Sequence, residues 1–370
     1  MESILLIVPC IQYGGTETVA VRYYEELKKY NKNATILSIV SSSNLPDSAS
    51  FIFHENSFIY KTLTINFLRP IFYIFVLISF LRYIKKNKII IAFGELPIIC
   101  SFPYAFFLSY FWKNNKKKFV CSFRNHPSTL NSFKINFLIY LMKYFDLITS
   151  NSIAAKKIFN KKIKPKKSIV LFNPMPSKEK IIPLKLLKKE GVLNMLSVSR
   201  LEKQKNIFLL VKTFHNILEN YNKFNHFILH IVGDGSEYAK LKNYVNENNL
   251  NKNIIFYGKL SQTEVFHIFR YCDLFVHFSN WDGIPNTVLE ALYLELPVLA
   301  YLSEKSGISD LAKFGAPISF FHKINAKQFF NEIIKIQESD YYQKFLYKNK
   351  KFIEKYRRKS SILNLLRLLK

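Results

Sequence analysis

The stretch DLFVHFSNWDGIPNTVLEALYLELPVLAY (273–301) decides the architecture. Leu274 to Ser279 is an apolar run of strand length that ends in the turn Trp281-Asp282-Gly283. Pro285 then stands where a helix would begin, a place that tolerates the missing N–H. A second apolar run, Leu296 to Tyr301, reads as the next strand. Strand, loop, helix and strand in such short succession are the repeating unit of a parallel sheet.

The alternation continues in both directions. Asn194 to Val198 reads as a strand, and Ile207, Leu210, Val211, Phe214, Ile217 and Leu218 follow at the helical period. His226 to Val232 ends on Gly233-Asp234-Gly235, and Asn253 to Tyr257 ends on Gly258. An earlier series runs through residues 4–9, 34–40, 89–93, 119–123, 146–150 and 168–172. Its first strand leads through Gly14 and Gly15 to a helix capped by Thr16, running to about Tyr30 with Val19, Tyr23 and Leu27 on one face. From Asn173 the chain turns to proline and lysine and closes on Gly191, the composition of a linker.

The expected fold is therefore α/β with two Rossmann-like domains. Residues 1–175 would form the first, 176–191 the linker, 192–340 the second and 341–370 a basic helical tail. Ile362, Leu365, Leu366 and Leu369 make an apolar stripe on that tail, which suits packing back on the N-terminal domain.

Composition narrows the function. At 370 residues the chain exceeds one ordinary core, and 49% hydrophobic content excludes disorder. Cys10, Cys100, Cys121 and Cys272 are scattered without a CxxC pair, so neither a disulfide framework nor a zinc knuckle is expected. That usage fits a cytoplasmic setting. Glu2 precedes the apolar run Ile4 to Pro9, which reads as a first strand rather than a signal peptide.

The net charge of +28 admits nucleic acid, an anionic membrane surface or a plain lysine bias. No helix-turn-helix, zinc finger or RNP-type strand supports nucleic acid, and none is expected as a partner. Ile71 to Leu81 is too short to span a bilayer, and Pro97 and Pro103 interrupt the uncharged run Leu96 to Trp112. Both read as buried or interfacial helices, which leaves peripheral attachment at the cytoplasmic face of a membrane open.

Chemistry-bearing residues fall where strands end, the place where open parallel sheets bind ligands. Arg200 and Lys205 follow the strand ending at Val198. Two cations there can neutralise a diphosphate, with arginine offering a planar fork. Gly233 and Gly235 let a ligand approach the backbone. The segment Gly283, Ile284, Pro285 and Asn286 opens a helix whose free N–H groups suit phosphate, and Glu290 can accept from ribose hydroxyls. Each feature alone has an ordinary structural reading, such as a solvated helix start or a surface carboxylate.

Order and spacing make them specific. SRLEKQKN (199–206), IVGDGSE (231–237) and WDGIPNTVLEALYLELPV (281–298) resemble the retaining glycosyltransferases of family GT4, which have the GT-B fold. GGTE (14–17) resembles their N-terminal glycine loop, and FNP (172–174) their entry to the linker.

The resemblance implies two Rossmann-like domains facing a central cleft and transfer of a sugar, usually from a UDP-sugar. It implies that Arg200 and Lys205 bind the donor diphosphate, and that the paired acids of an E-x7-E motif fall on Asp282 and Glu290. Arg200, Lys205 and Asp282 would then be catalytic. Gly14 and Gly15 would approach the phosphates, while Arg124, Asn125 and His126 would lie near the transferred sugar, a role that competes with a capped turn. Glu95, after Gly94, is a further acceptor-side candidate.

Two departures stand out. Asp282 replaces the first glutamate and is one methylene shorter, which leaves the choice of sugar open. Glu295 stands where the family commonly has glycine, read here as a loop difference remote from the donor. No D-x-D motif is present, so neither metal nor other cofactor is expected. The acceptor would be a glycan or polyprenyl-linked sugar of bacterial lipopolysaccharide, O-antigen or capsule synthesis. A GT-B epimerase or phosphorylase and a non-catalytic nucleic-acid-binding protein are the rival readings.

Overall fold

The computed structural model describes residues 3–10, 15–41, 50–54, 69–111, 117–124, 132–162, 168–176, 191–221, 226–303, 306–323 and 325–369. The chain divides into two compact units, Met1–Pro174 with Lys359–Lys370, and Met175–Arg358.

The first unit contains β1 (Ile4–Cys10), α1 (Gly15–Lys29), β2 (Ala34–Ser41), β3 (Ser50–His54), α2 (Arg69–Lys86), β4 (Ile89–Phe93) and α3 (Glu95–Phe111). After these come β5 (Lys118–Phe123), α4 (Ser132–Met142), β6 (Leu147–Ser150), α5 (Ile153–Lys162) and β7 (Ser168–Val170). Its strands pair in parallel in the order β3-β2-β1-β4-β5-β6-β7.

β1 shows how one apolar run serves two faces. Ile4, Leu6 and Val8 enter a core with α1, while Leu5 and Ile7 enter the opposite core with α2, α3, α4 and α5. Alternation along a pleated strand requires this split, and burial on both sides explains the continuous hydrophobicity.

The second unit contains β8 (Leu193–Val198), α6 (Ile207–Asn220), β9 (Phe227–Val232), α7 (Tyr238–Glu247), β10 (Ile254–Gly258), α8 (Gln262–Tyr271) and β11 (Leu274–His277). It continues with α9 (Asn286–Tyr293), β12 (Val298–Tyr301), α10 (Ile308–Lys313), β13 (Ile318–Phe321), α11 (Ala326–Ile336) and α12 (Tyr341–Ser360). The order β10-β9-β8-β11-β12-β13 is again parallel throughout. The strand order reverses between β8 and β11, which makes a crevice at the carboxyl ends of those two strands.

The tail differs from the sequence expectation. Residues 341–358 of α12 belong to the second unit, and only the end of the chain belongs to the first. The last helix, α13 (Ile362–Leu369), buries Ile362, Leu365 and Leu366 in the core with Val19, Tyr23 and Leu27 of α1. Each such side chain contributes about 1.5–3 kcal/mol. The Ser361 hydroxyl and the Ile362 N–H donate to the Glu26 carboxylate, which satisfies the start of the helix.

Other boundaries shift for identifiable reasons. α1 begins at Gly15, so Thr16 lies inside the helix rather than capping it. Pro285 is the extended residue before α9, not its first helical residue. Leu96 to Phe111 is helical despite its prolines, Pro97 lying in the first turn and Pro103 on an exposed position. Among the described residues, no helix is long and apolar enough to cross a membrane.

Glu295 corrects a loop expectation. It has a φ of +59°, and its neighbour Leu296 donates to the Ala291 carbonyl at 2.9 Å. This is the left-handed closing turn of a helix that glycine usually makes, here made by glutamate. Of the linker, residues 177–190 lie outside the described residues.

Candidate functional site

The two loops at the second unit's reversal point are stitched together. After β8 the chain passes Ser199 and Arg200, makes a short turn of 3₁₀ helix over Lys203–Lys205, and enters α6 from Asn206. Asn206 has a φ of +53°, a conformation asparagine tolerates better than most residues. Its side chain donates to the Phe278 carbonyl at 3.3 Å and accepts from Asn280 Nδ2 at 3.0 Å. Gln204 Nε2 donates to the Trp281 carbonyl at 2.7 Å, and the Asn280 N–H returns a bond to Gln204 at 3.1 Å.

Across this frame, Lys205 Nζ donates to Asp282 Oδ2. Their side chains are only 13% and 18% exposed, so a cation and an anion are held together in a partly desolvated place. Asp282 is braced from behind. Its backbone carbonyl accepts from the Gly307 N–H at 2.9 Å, and a side chain on Gly307 would meet the Gly283 backbone at 2.6 Å.

Arg200 is exposed on the same loop as Lys205. Gly283, Ile284 and Pro285 are buried and lead into Asn286, the first residue of α9. One turn further on, Glu290 is only 8% exposed, buried among Val288, Leu289, Ala291 and Leu292 of the same helix. A surface carboxylate is therefore not its setting.

Gly233 and Gly235 have a reason that the sequence reading missed. A Cβ on Gly233 would sit 1.8 Å from the Ser199 carbonyl oxygen, and one on Gly235 would sit 2.6 Å from that of Leu201. These glycines let the β9 loop lie against the loop that carries Arg200 and Lys205. The Leu201 N–H donates to Asp234 at 2.9 Å, and the Glu237 N–H donates back to Leu201 at 2.8 Å. Backbone packing within the protein is by itself a sufficient requirement for glycine at both positions.

His277, the last residue of β11, escaped sequence reasoning altogether. It is the odd polar residue in LFVHF, which is the signal that could have found it. Burial lowers its pKa to about 4; the Asp282 charge opposes that shift and the Lys205 charge adds to it. The ring is thus neutral beside the ion pair. His277 Nε2, Trp281 Nε1 and Ser199 Oγ are buried and have no hydrogen-bond partner among the described residues. Unsatisfied polar atoms of this kind are costly, and here they gather in the loops at one crevice.

The first unit has a reversal point of its own, between β1 and β4. Gly15 opens α1 and Glu95 opens α3 there. A Cβ on Gly94 would lie 3.7 Å from Thr16 Cγ2, so the two loops adjoin.

Arg124 is anchored within the first unit. Its guanidinium is buried, donating to Ser122 Oγ at 2.8 Å and to the Leu171 carbonyl at 2.6 Å, and it lies over the Tyr23 and Phe93 rings. It ties β5 to the strand end near Asn173. Gly14, Asn125 and His126 lie outside the described residues.

Two parallel-sheet Rossmann-like units define the GT-B fold. Residues 178–358, which lie within the second unit, match the model of the family described as glycosyl transferases group 1. The fold and this match together support a GT-B glycosyltransferase.

An uncharacterized glycosyltransferase of Methanocaldococcus jannaschii is 29% identical over 58% of this chain and 55% of its own length. The Escherichia coli UDP-Gal:alpha-D-GlcNAc-diphosphoundecaprenol alpha-1,3-galactosyltransferase is 36% identical over 33% of this chain and 30% of its own. These alignments therefore span about half or less of each relative. HepE of Anabaena, solved in complex with UDP and glucose, superposes with a TM-score of 0.73 at 15% identity. That superposition covers 100% of this chain and 98% of HepE, and speaks for the fold.

Proposed function

We propose that the protein is a retaining glycosyltransferase that moves a sugar from a UDP-sugar to a glycan or lipid-linked acceptor. The observation that carries this reading is the crevice between β8 and β11. There, Lys205 and Asp282 meet across two loops, the first of which also carries Arg200, and buried polar atoms of Ser199, His277 and Trp281 have no hydrogen-bond partner among the described residues. A nucleoside diphosphate sugar supplies acceptors and donors of the right kind. UDP with glucose in HepE and UDP-Gal in the name of the Escherichia coli relative favour uridine.

In this reading Arg200 and Lys205 stabilise the charge that develops on the diphosphate as its bond to the anomeric carbon breaks. The acceptor hydroxyl attacks that carbon from the same face, forming the new glycosidic bond. Its proton passes to the departing phosphate oxygen, so no separate base is needed. Glu290 holds the ribose, and Asp282 reads the sugar. With two cations and the start of α9 in place, the leaving group is stabilised without a metal. The diphosphoundecaprenol acceptor of the Escherichia coli relative supports a lipid-linked acceptor in surface-polysaccharide synthesis.

The test is a thermal-shift screen against UDP-, GDP- and ADP-sugars, followed by product analysis with polyprenyl-linked acceptors. A UDP-sugar should raise the unfolding temperature most. UDP should then be released only with acceptor present, and the new linkage should keep the anomeric configuration. Release of an epimerised sugar or of sugar phosphate would overturn the reading.

A further inference from the structure

We propose that the outer face of α2, α3 and α4 is a docking surface for an anionic lipid bilayer. This stands apart from the donor-site reading, since it concerns a different face and different residues.

α2 packs Val76, Phe80 and Ile84 into the core. Its opposite side should be polar by the usual logic of a surface helix. Instead Ile71, Ile74, Phe75, Ile78 and Leu81 are exposed, Ile78 at 61%. Their spacing places them on one stripe of the helix. α4 repeats the pattern with Phe133, Phe137 and Tyr140, Phe133 being 80% exposed, and α3 adds Phe107.

These side chains form one surface. A cavity of about 330 Å³ lies among the three helices, lined by Leu77 of α2, Ile99, Phe102 and Pro103 of α3, and Phe137 and Tyr140 of α4. Nine large apolar side chains, most about half exposed, amount to on the order of several hundred Å². That equals or exceeds the largest apolar patch of an ordinary soluble monomer.

Charge selects the occupant. The α2 stripe runs on into Arg82 and Lys85, both exposed, and Lys143 follows α4 with its ammonium over the Tyr140 ring. Neither α2 nor α4 contains an aspartate or glutamate. An apolar, aromatic face whose rim is mainly basic, with Glu95 at the start of α3 and Asp146 beyond Lys143 as its nearby acids, complements hydrocarbon beneath anionic headgroups. A second copy of the chain would bring the same basic rim against itself. Since no described helix spans a membrane, the contact is with the surface.

The test is co-sedimentation of the full chain with phosphatidylcholine vesicles, with and without phosphatidylglycerol, at low and high salt. The wild type should bind the anionic vesicles and release them as salt rises. Ile74→Glu with Ile78→Glu should weaken binding at least about tenfold, and Arg82→Glu with Lys85→Glu about fivefold or more. Both pairs are exposed, so unfolding temperature and circular dichroism should hold. Tyr347→Glu, an exposed change in the second unit, should leave binding intact. Three results would overturn the proposal: no wild-type binding to anionic vesicles, equal binding by the apolar variant, or a stable dimer that Ile78→Glu dissolves.

Discussion

Lys205 and Asp282, separated by 77 residues, form an ion pair across the two loops at the reversal point of the second sheet. The proposed donor chemistry asks something else of each. Lys205 would serve the diphosphate and Asp282 the sugar. In that reading a donor diphosphate competes with the carboxylate for the ammonium, which favours a ligand group of comparable charge.

Removing the ammonium should accordingly cost more than binding. Lys205→Ala is expected to lower kcat/KM for transfer by at least about 10²–10³-fold, the scale of losing one donor to a developing anion. The fold should survive, because the Asn206, Gln204 and Asn280 bonds remain. The measurement is steady-state transfer beside a thermal melt, and near-wild-type turnover would remove the basis of the assignment.

The two acids should separate nucleotide handling from sugar choice. Glu290→Gln is expected to weaken UDP binding about tenfold or more by losing a charged acceptor. Asp282→Glu restores one methylene and should leave UDP affinity within about threefold. It should change relative rates among donors differing at one sugar hydroxyl by more than tenfold. Calorimetry with UDP and competition between donor sugars check the two halves.

Much of this arrangement was legible in the sequence, for physical reasons. Buried parallel strands must be apolar on both faces, so runs such as Ile4 to Val8 announce themselves. Loops at their carboxyl ends concentrate the polar residues, which is why Arg200, Lys205 and Asp282 could be named. What stayed hidden depends on distant partners. Arg124 is spent on Leu171 and Asn173, 47 and 49 residues away, and nothing local reveals that. α4 is apolar on nearly every side and carries no period to read. Gly233 and Gly235 were visible, but a glycine does not say whether ligand or chain needs the space.

The answer for Gly233 is open to experiment. Gly233→Ala would set a methyl group 1.8 Å from the Ser199 carbonyl, which is backbone and cannot rotate away. The loop carrying Arg200 must move. Expected are a loss of roughly 2–4 kcal/mol in stability and at least tenfold weaker UDP binding, read by denaturant melts and calorimetry. Unchanged stability would show that the two loops do not pack so closely.

Glu295 offers a change in the opposite direction. Its left-handed backbone costs a non-glycine residue about 1–2 kcal/mol, part of which glycine returns as unfolded-state entropy. Glu295→Gly should therefore stabilise the second unit by about 0.5–1 kcal/mol, a rise of a few degrees in Tm, with transfer kinetics unaltered. A fall in Tm would mean that the side chain makes a contribution its backbone conformation conceals.

His277 and His230 make the second unit sensitive to acid. Burial lowers each folded-state pKa to about 4, against an opposing charge from Asp282 for His277 and from Asp273 for His230. In the unfolded chain each titrates near its ordinary value of about 6.5. Between those values the unfolded state binds the extra proton, so stability rises with pH. The contribution is complete above about pH 6.5 and is lost as pH falls toward 4, on the order of 2–3 kcal/mol for each ring. Thermal melts across this range should show a falling Tm. His277→Leu should flatten part of that slope, since leucine, an aliphatic side chain of volume similar to the imidazole's, fills the same apolar place in β11 and removes the titration. A slope identical to wild type would mean that His277 is already charged in the folded protein, and that the ion pair beside it has rearranged to accept it.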